Sequence, residues 1–293
     1  MRLTRRTALA TAGIGTAAVV AGGAGVASGV LPGRAQLYSR LGLDGEDGTV
    51  PDVEPGDLVS GELVSAARGG RRVGWSLATP PGTGPEGLPL VVVLHARGAD
   101  HTSPFARDYL GLDRFLAAAV ADGVPPVALA SIDGGNAYWH ERADGDDPGA
   151  MVVDEYLPLL ADRGLDTSRL GLLGWSMGGF GALRLAGRLG PDRVRAVAAL
   201  SPALWTDYDD TAPGAFDDAA DFAAVTVMGR QDDLAGIPVR VDCGLGDPFC
   251  VAAEEYVEGF AERPAGGFER GDHDRGYWRR LAGAQLRFVA ERV

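Results

Sequence analysis

The segment Gly174-Trp175-Ser176-Met177-Gly178 lies between the apolar run Leu170-Gly171-Leu172-Leu173 and a stretch with helical periodicity. This spacing constrains the fold strongly. It predicts a sharp strand-to-helix turn that lifts the Ser176 hydroxyl above the edge of a sheet. In such a turn the serine backbone is strained, and the residues two before and two after it lie where strand and helix nearly touch. Only glycine-sized residues fit there, which accounts for Gly174 and Gly178. A second segment, Gly74-Trp75-Ser76-Leu77-Ala78, looks similar but lacks the second glycine. It runs into Thr79-Pro80-Pro81-Gly82, which cannot begin a helix. Ser76 is therefore read as an ordinary strand residue.

The chain around Ser176 alternates in a regular way. Short apolar runs occur at 90–94, 127–132, 170–175, 197–200 and 239–241. Helix-like stretches occur at 105–121, 151–161, 178–189, 251–262 and 277–291. Continuous apolar strands separated by helices predict a mostly parallel central sheet covered by helices on both faces. Residues 58–79 read as an antiparallel hairpin turning at Arg68-Gly69-Gly70-Arg71. The stretch 202–236, with Trp205, Tyr208 and many aspartates, breaks the rhythm and reads as a small cap or a surface excursion. Residues 58–293 form one catalytic domain in this reading, and the aperiodic Gly/Asp/Glu/Pro-rich residues 36–57 form a linker.

The N-terminus carries Arg5-Arg6 ahead of an uncharged Ala/Gly-rich run ending before Arg34. Residues 1–35 are read as a twin-arginine-type export signal, with an uncleaved membrane anchor as the alternative. The formal net charge of −13 argues against nucleic acid or an anionic membrane surface as partner. All 27 basic residues are arginine. The absence of lysine removes Schiff-base chemistry, Ser-Lys dyads and P-loop phosphate binding. The only two cysteines, Cys243 and Cys250, are expected to form a disulfide in an exported protein.

A serine nucleophile needs a base, the base needs an orienting carboxylate, and the developing oxyanion needs donors. On this type of sheet the chain order is Ser, acid, His. Of His95, His101, His140 and His273, only His273 follows Ser176. The acid is expected just past a strand end, which selects Asp247 in Cys243-Gly244-Leu245-Gly246-Asp247-Pro248-Phe249, with Asp242 and Asp233 as alternatives. Asp274 is too close in sequence to His273 to reach its ring. The oxyanion donors are expected to be the backbone N–H of Met177 and that of Arg97, or else Ala96, in the loop His95-Ala96-Arg97-Gly98. His95 reads as structural and His101 as surface loop. Trp139 and His140 follow a strand at the carboxyl edge of the sheet, where ligands bind in open α/β folds. With Trp205 they are the candidate substrate-binding residues. No metal-ligand spacing is present.

These segments, with Gly174 to Gly179 and with His273 followed by Tyr277-Trp278, resemble the putative esterase family over residues 58–293. That family groups esterase D-like enzymes, feruloyl esterase-like domains and the antigen 85 mycolyltransferases. The resemblance implies an α/β-hydrolase fold, a Ser-Asp-His triad, oxyanion donors at Met177 and in the Ala96–Arg97 loop, and no cofactor. Members often carry glycine after the first-loop histidine, where this chain has Ala96. The expected activity is that of an exported serine hydrolase cleaving small-molecule carboxylic esters. The alternatives are an acyltransferase passing the acyl group to a sugar or lipid alcohol, and a catalytically inactive binding protein on the same scaffold.

Overall fold

The computed structural model describes residues 37–38, 40–42 and 44–293; the export signal expected at 1–35 lies outside them. Eight strands form one sheet: β1 (Leu58–Ser65), β2 (Arg71–Ala78), β3 (Pro89–Leu94), β4 (Ala128–Ile132), β5 (Asp166–Trp175), β6 (Val194–Leu200), β7 (Val239–Gly244) and β8 (Ala265–Glu269). Their order across the sheet is β1-β2-β4-β3-β5-β6-β7-β8. The β1–β2 and β2–β4 pairs are antiparallel and the remaining pairs are parallel. This is the mostly parallel sheet that the alternation of runs implies, in the α/β-hydrolase arrangement that the family resemblance implies. The helices are α1 (Leu112–Ala121), α2 (Pro148–Ala150 continuing through a wider π turn, Met151–Tyr156, into Leu157–Ala161), α3 (Met177–Leu189), α4 (Ala219–Val225), α5 (Cys250–Glu258) and α6 (Arg275–Ala290).

The central strands are apolar throughout because both of their faces are covered. On β3, Leu90, Val92 and Leu94 enter the core shared with α2, α3 and α5, while Val91 and Val93 enter the core shared with α1 and α6. The period-two alternation of side chains thus feeds two separate cores from one strand. Three boundaries differ from the sequence reading. The helix expected from residue 105 starts at Leu112, because Gly111 takes a left-handed backbone (φ 64°) at its N-terminus. The edge strand β8, Ala-Gly-Gly-Phe-Glu, carries no apolar periodicity and was not expected. Residues 44–57 have no regular structure but are packed rather than free. The Gly48 N–H donates to the Gly276 carbonyl (2.8 Å), the Thr79 N–H to the Asp57 carbonyl (3.0 Å), and Arg114 and Arg280 donate to the Val53 and Glu46 carbonyls. Among the described residues no helix is long and apolar enough to cross a membrane.

The hairpin is tied to the body by a buried ion pair. Arg68 Nε and Nη2 donate to the two Asp146 oxygens (2.7 and 2.9 Å), and Arg68 Nη1 donates to the Asp133 carbonyl (2.7 Å). Burial alone would raise the Asp146 carboxyl, but Arg68 and Arg71 outweigh it and hold the group below its ordinary range. A depressed carboxyl stabilises the fold above its unfolded-state pKa, and that contribution disappears as pH falls through the folded value. Asp146→Asn leaves the Arg68 guanidinium buried without its counter-charge. The variant is expected to lose about 3 kcal/mol of stability at neutral pH and much less in acid, measured by urea denaturation at both pH values.

Candidate active site

The turn at Ser176 has the strained geometry that its glycines foretell. Ser176 sits at φ 54° and ψ −122° between β5 and α3. A Cβ on Gly174 would lie 2.0 Å from the Gly178 carbonyl oxygen, and one on Gly178 would lie 1.9 Å from the Leu94 oxygen. Strand, helix and the end of β3 thus meet at backbone contact, which brings the loop after β3 beside the start of α3. Here the chain also changes direction across the sheet, passing from β4 over β3 to β5.

Three side chains converge above this turn. His273 Nε2 lies 2.9 Å from Ser176 Oγ, and His273 Nδ1 lies 2.8 Å from Asp247 Oδ2. Asp247 is 1 % exposed, and its other oxygen accepts the Phe249 N–H (2.9 Å). The carboxylate therefore fixes the ring so that Nδ1 carries the hydrogen and Nε2 faces the serine. Asp274 instead caps α6, accepting the Tyr277 N–H (2.9 Å). The two alternative acids are engaged elsewhere. Asp242 is bonded to Arg240, Gln285 and the Gly267 N–H, and its carboxyl is pushed up by burial. Asp233 lines a cavity at the far end of α3.

The disulfide expected to bracket Asp247 is not formed. Cys243 and Cys250 are free thiols without exposed surface, and burial pushes the Cys243 thiol well above its usual range. The loop is held by its backbone instead. Asp247 N–H donates to Gly244 O (3.0 Å), Cys250 N–H to Asp247 O (3.0 Å), and Gly246 N–H to Gly271 O (2.8 Å). That last bond docks the loop of Asp247 directly onto the loop of His273.

The first-strand loop is set by His95. Its Nδ1–H donates to the Ala96 carbonyl (2.8 Å) while Nε2 accepts the Gly134 N–H (2.9 Å). This pattern needs a neutral ring, and burial, the largest influence on it, lowers the His95 pKa accordingly. In a trans peptide C=O and N–H point opposite ways, so fixing the Ala96 carbonyl also fixes the direction of the Arg97 N–H. Neither the Met177 nor the Arg97 N–H has an acceptor among the described residues. The Arg97 side chain turns away and donates to the Pro213 carbonyl (3.0 Å).

The candidate substrate residues divide. Trp139 and His140 are core residues, 2 % and 0 % exposed. Trp139 Nε1 donates to the His95 carbonyl (3.3 Å), and its ring fills the space that a Cβ on Gly181 would occupy. Tyr138 and Trp139 take left-handed backbones (φ 52° and 58°), which turn the chain under α3 rather than out over the sheet edge. His140 Nδ1–H donates to the Glu141 carbonyl (2.8 Å). Trp205, half-buried in the 202–236 excursion, does come to the site. It packs edge-on against Phe249 (5.2 Å between ring centres), which packs edge-on against His273 (5.1 Å). Phe249 and Tyr138, the latter 5.6 Å from Trp205, were not singled out from sequence, since only the folded excursion brings these rings together. On the other side of His273, an open groove of about 570 Å³ is lined by Tyr109, Trp278, Arg275 and Asp47. The excursion is no detached cap: Phe216, Phe222 and Leu234 are buried in the main core.

His101 lies in the loop after β3, partly exposed, and is engaged there. Its Nδ1 lies 2.8 Å from Ser76 Oγ, and Ser76 in turn lies 2.8 Å from Ser60 Oγ. Ser76 is 1 % exposed and sits mid-strand, with no strained turn or helix start beside it, so this serine–histidine contact serves the sheet. No cluster of three or more His, Cys, Asp or Glu side chains able to hold a metal ion exists among the described residues.

The profile of the family described as Putative esterase matches residues 66–288. The chain belongs to this family. It is a carboxylic ester hydrolase, and its substrates are small-molecule esters. Among solved structures, a ferulic acid esterase superposes with a TM-score of 0.68 at 22 % identity, covering 80 % of this chain and 98 % of that one. An S-formylglutathione hydrolase from Agrobacterium tumefaciens gives 0.66 at 18 % identity, covering 83 % and 97 %. The feruloyl esterase module from Clostridium thermocellum gives 0.60 at 15 % identity, covering 85 % and 95 %. These likenesses establish the α/β-hydrolase fold. No protein of curated function matches the sequence.

The backbone contact at the turn makes a sharp prediction about this esterase. Gly178→Ala must push the Leu94 carbonyl aside and is expected to destabilise the protein by about 3 kcal/mol, read as a lowered denaturation midpoint. Gly267→Ala, whose Cβ would meet nothing within 4 Å, is the control and is expected to cost well under half as much.

Proposed function

We propose that this esterase works through an acyl-enzyme on Ser176. The observation that carries the proposal is the continuous chain Ser176 Oγ–His273–Asp247, with links of 2.9 and 2.8 Å at the carboxyl edge of the sheet. Ser176 Oγ bonds to the ester carbonyl carbon as His273 Nε2 takes its proton. The oxyanion is received by the Met177 and Arg97 N–H groups. As the tetrahedral intermediate collapses, the carbon–oxygen bond to the alcohol breaks and His273 returns its proton to the departing oxygen. Water, deprotonated by His273, then attacks the acyl carbon, and the acid leaves as the proton passes back to Ser176. Asp247 keeps the ring oriented and stabilises the imidazolium formed in each half-reaction.

The substrate reading follows from the walls. Phe249 against His273 and Trp205 against Phe249 form an aromatic surface, backed from the core by Tyr138, which fits a flat aromatic or other compact apolar acyl group better than a long flexible chain. The same reading agrees with the ferulic acid esterase among its structural relatives. Export by a twin-arginine-type route through residues 1–35, to the cell envelope or beyond it, is part of the proposal and is supported by the Arg5-Arg6 pair and the apolar run behind it.

Hydrolysis of aryl and alkyl p-nitrophenyl esters tests the mechanism. Ser176→Ala is expected to abolish turnover and labelling by a fluorophosphonate, and Asp247→Asn to lower kcat on the order of 10⁴-fold without unfolding the protein. Retained turnover in Ser176→Ala would place the nucleophile elsewhere. Trp205→Ala is expected to raise KM for aryl esters roughly tenfold with kcat little changed, the pattern of lost uniform binding. An equal effect on alkyl and aryl esters would remove the aromatic wall from the specificity argument.

A further inference from the structure

Away from the active site, the second half of α3 and the end of the 202–236 excursion enclose a cavity of about 220 Å³. Its lining includes Arg184, Arg188, Arg230, Asp233 and Tyr256. Arg184 lies eight residues beyond Ser176, so the cavity is roughly 12 Å along the helix from the elbow. It shares no residue with the groove beside His273.

Three observations concern the charge held there. Arg184 and Arg188 are four apart on one helix face, a spacing at which like charges repel. Among the described residues, none of the three arginines lies in an ion pair with a carboxylate, in a chain whose net charge is −13. Arg230 is committed to the carbonyls of Ala224 and Ala223 at the end of α4 (2.9 and 3.0 Å), where it neutralises the negative end of that helix. Arg184 Nη1, by contrast, is buried with no acceptor. The Tyr256 hydroxyl is also buried without a partner, on a side chain with no exposed surface. Burial and the neighbouring Arg188 both weaken the hold of Arg184 on its proton. A buried guanidinium nitrogen and a buried hydroxyl each left unpaired cost free energy that a ligand would recover.

We propose that this cavity is a binding site for a small protonated oxyanion of the hydrogen-phosphate type. Its volume holds one tetrahedral oxyanion with a few waters. The oxygens accept from Arg184, from Arg188 and from the Tyr256 hydroxyl. Asp233 is the one acid in the lining, and it selects among anions. A carboxylate repels a fully deprotonated ion but accepts from a P–OH group, which hydrogen phosphate carries at pH 7 and sulfate lacks.

Inorganic phosphate is the probe, with sulfate and chloride at matched ionic strength and pH 7, on the intact chain. Heat denaturation is followed by circular dichroism, with calorimetric titration beside it. Phosphate is expected to raise Tm in proportion to the logarithm of its concentration and to titrate saturably in the calorimeter, with sulfate weaker by roughly tenfold, the size of one lost hydrogen bond to a charged group. Arg188→Gln, at an exposed position, and Tyr256→Phe are both expected to keep a cooperative melt and to weaken the phosphate response severalfold. An equal response to all three salts, or an undiminished response in both variants, overturns the site and leaves a hydrated cavity. Equal binding of sulfate and phosphate overturns the assignment of a protonated ligand. The readout is binding and not ester turnover, so it is independent of the role of Ser176.

Discussion

Three backbones touch at the elbow, and the arrangement of the site depends on that contact. With Gly174 against the Gly178 carbonyl and Gly178 against that of Leu94, β5, α3 and the end of β3 are held too close for even a single Cβ between them. Strain in the Ser176 backbone is sustained because the surrounding sheet leaves no alternative path. The same closeness puts the free N–H at the start of α3 beside the loop carrying Arg97. The serine and both proposed donors are thus placed by backbone geometry, before any side chain chooses a rotamer.

Asp247 and His273 are positioned by a different device. Their loops follow β7 and β8, and the Gly246–Gly271 hydrogen bond joins them edge to edge. A Cβ on Gly244 would sit 2.5 Å from the Gly271 oxygen, so the glycines flanking Asp247 mark the docking of one loop on the other. A covalent bridge is unnecessary for this, and Cys243 and Cys250 serve as small buried residues.

What could be read from sequence follows from which information is local. Ser176 announces itself through glycine spacing, and Asp247 and His273 through strand ends and chain order. The two-faced burial of the central strands is written in their unbroken apolar runs. By contrast, Trp139 and His140 stand where ligands bind in such sheets, yet two successive left-handed residues fold them inward, and nothing in their composition signals that turn. The pairing of Trp205 with Phe249 joins residues 44 positions apart, across an excursion without periodicity. The strand β8 escaped notice because two of its five residues are glycine and most of its surface is not buried. The packing of residues 44–57 rests on main-chain acceptors, to which composition is blind.

His95 gives this architecture a chemical polarity. Its ring is a donor on one side and an acceptor on the other, and it spans the loops after β3 and β4. A second proton would turn the acceptor into a donor facing the Gly134 N–H, and the two loops would part. Burial disfavours that proton. The latch consequently stays shut further into acid than the titration of an ordinary histidine would allow. Of the two imidazoles, the buried ring of His95 latches two loops together, while the part-buried ring of His273 bridges Ser176 and Asp247.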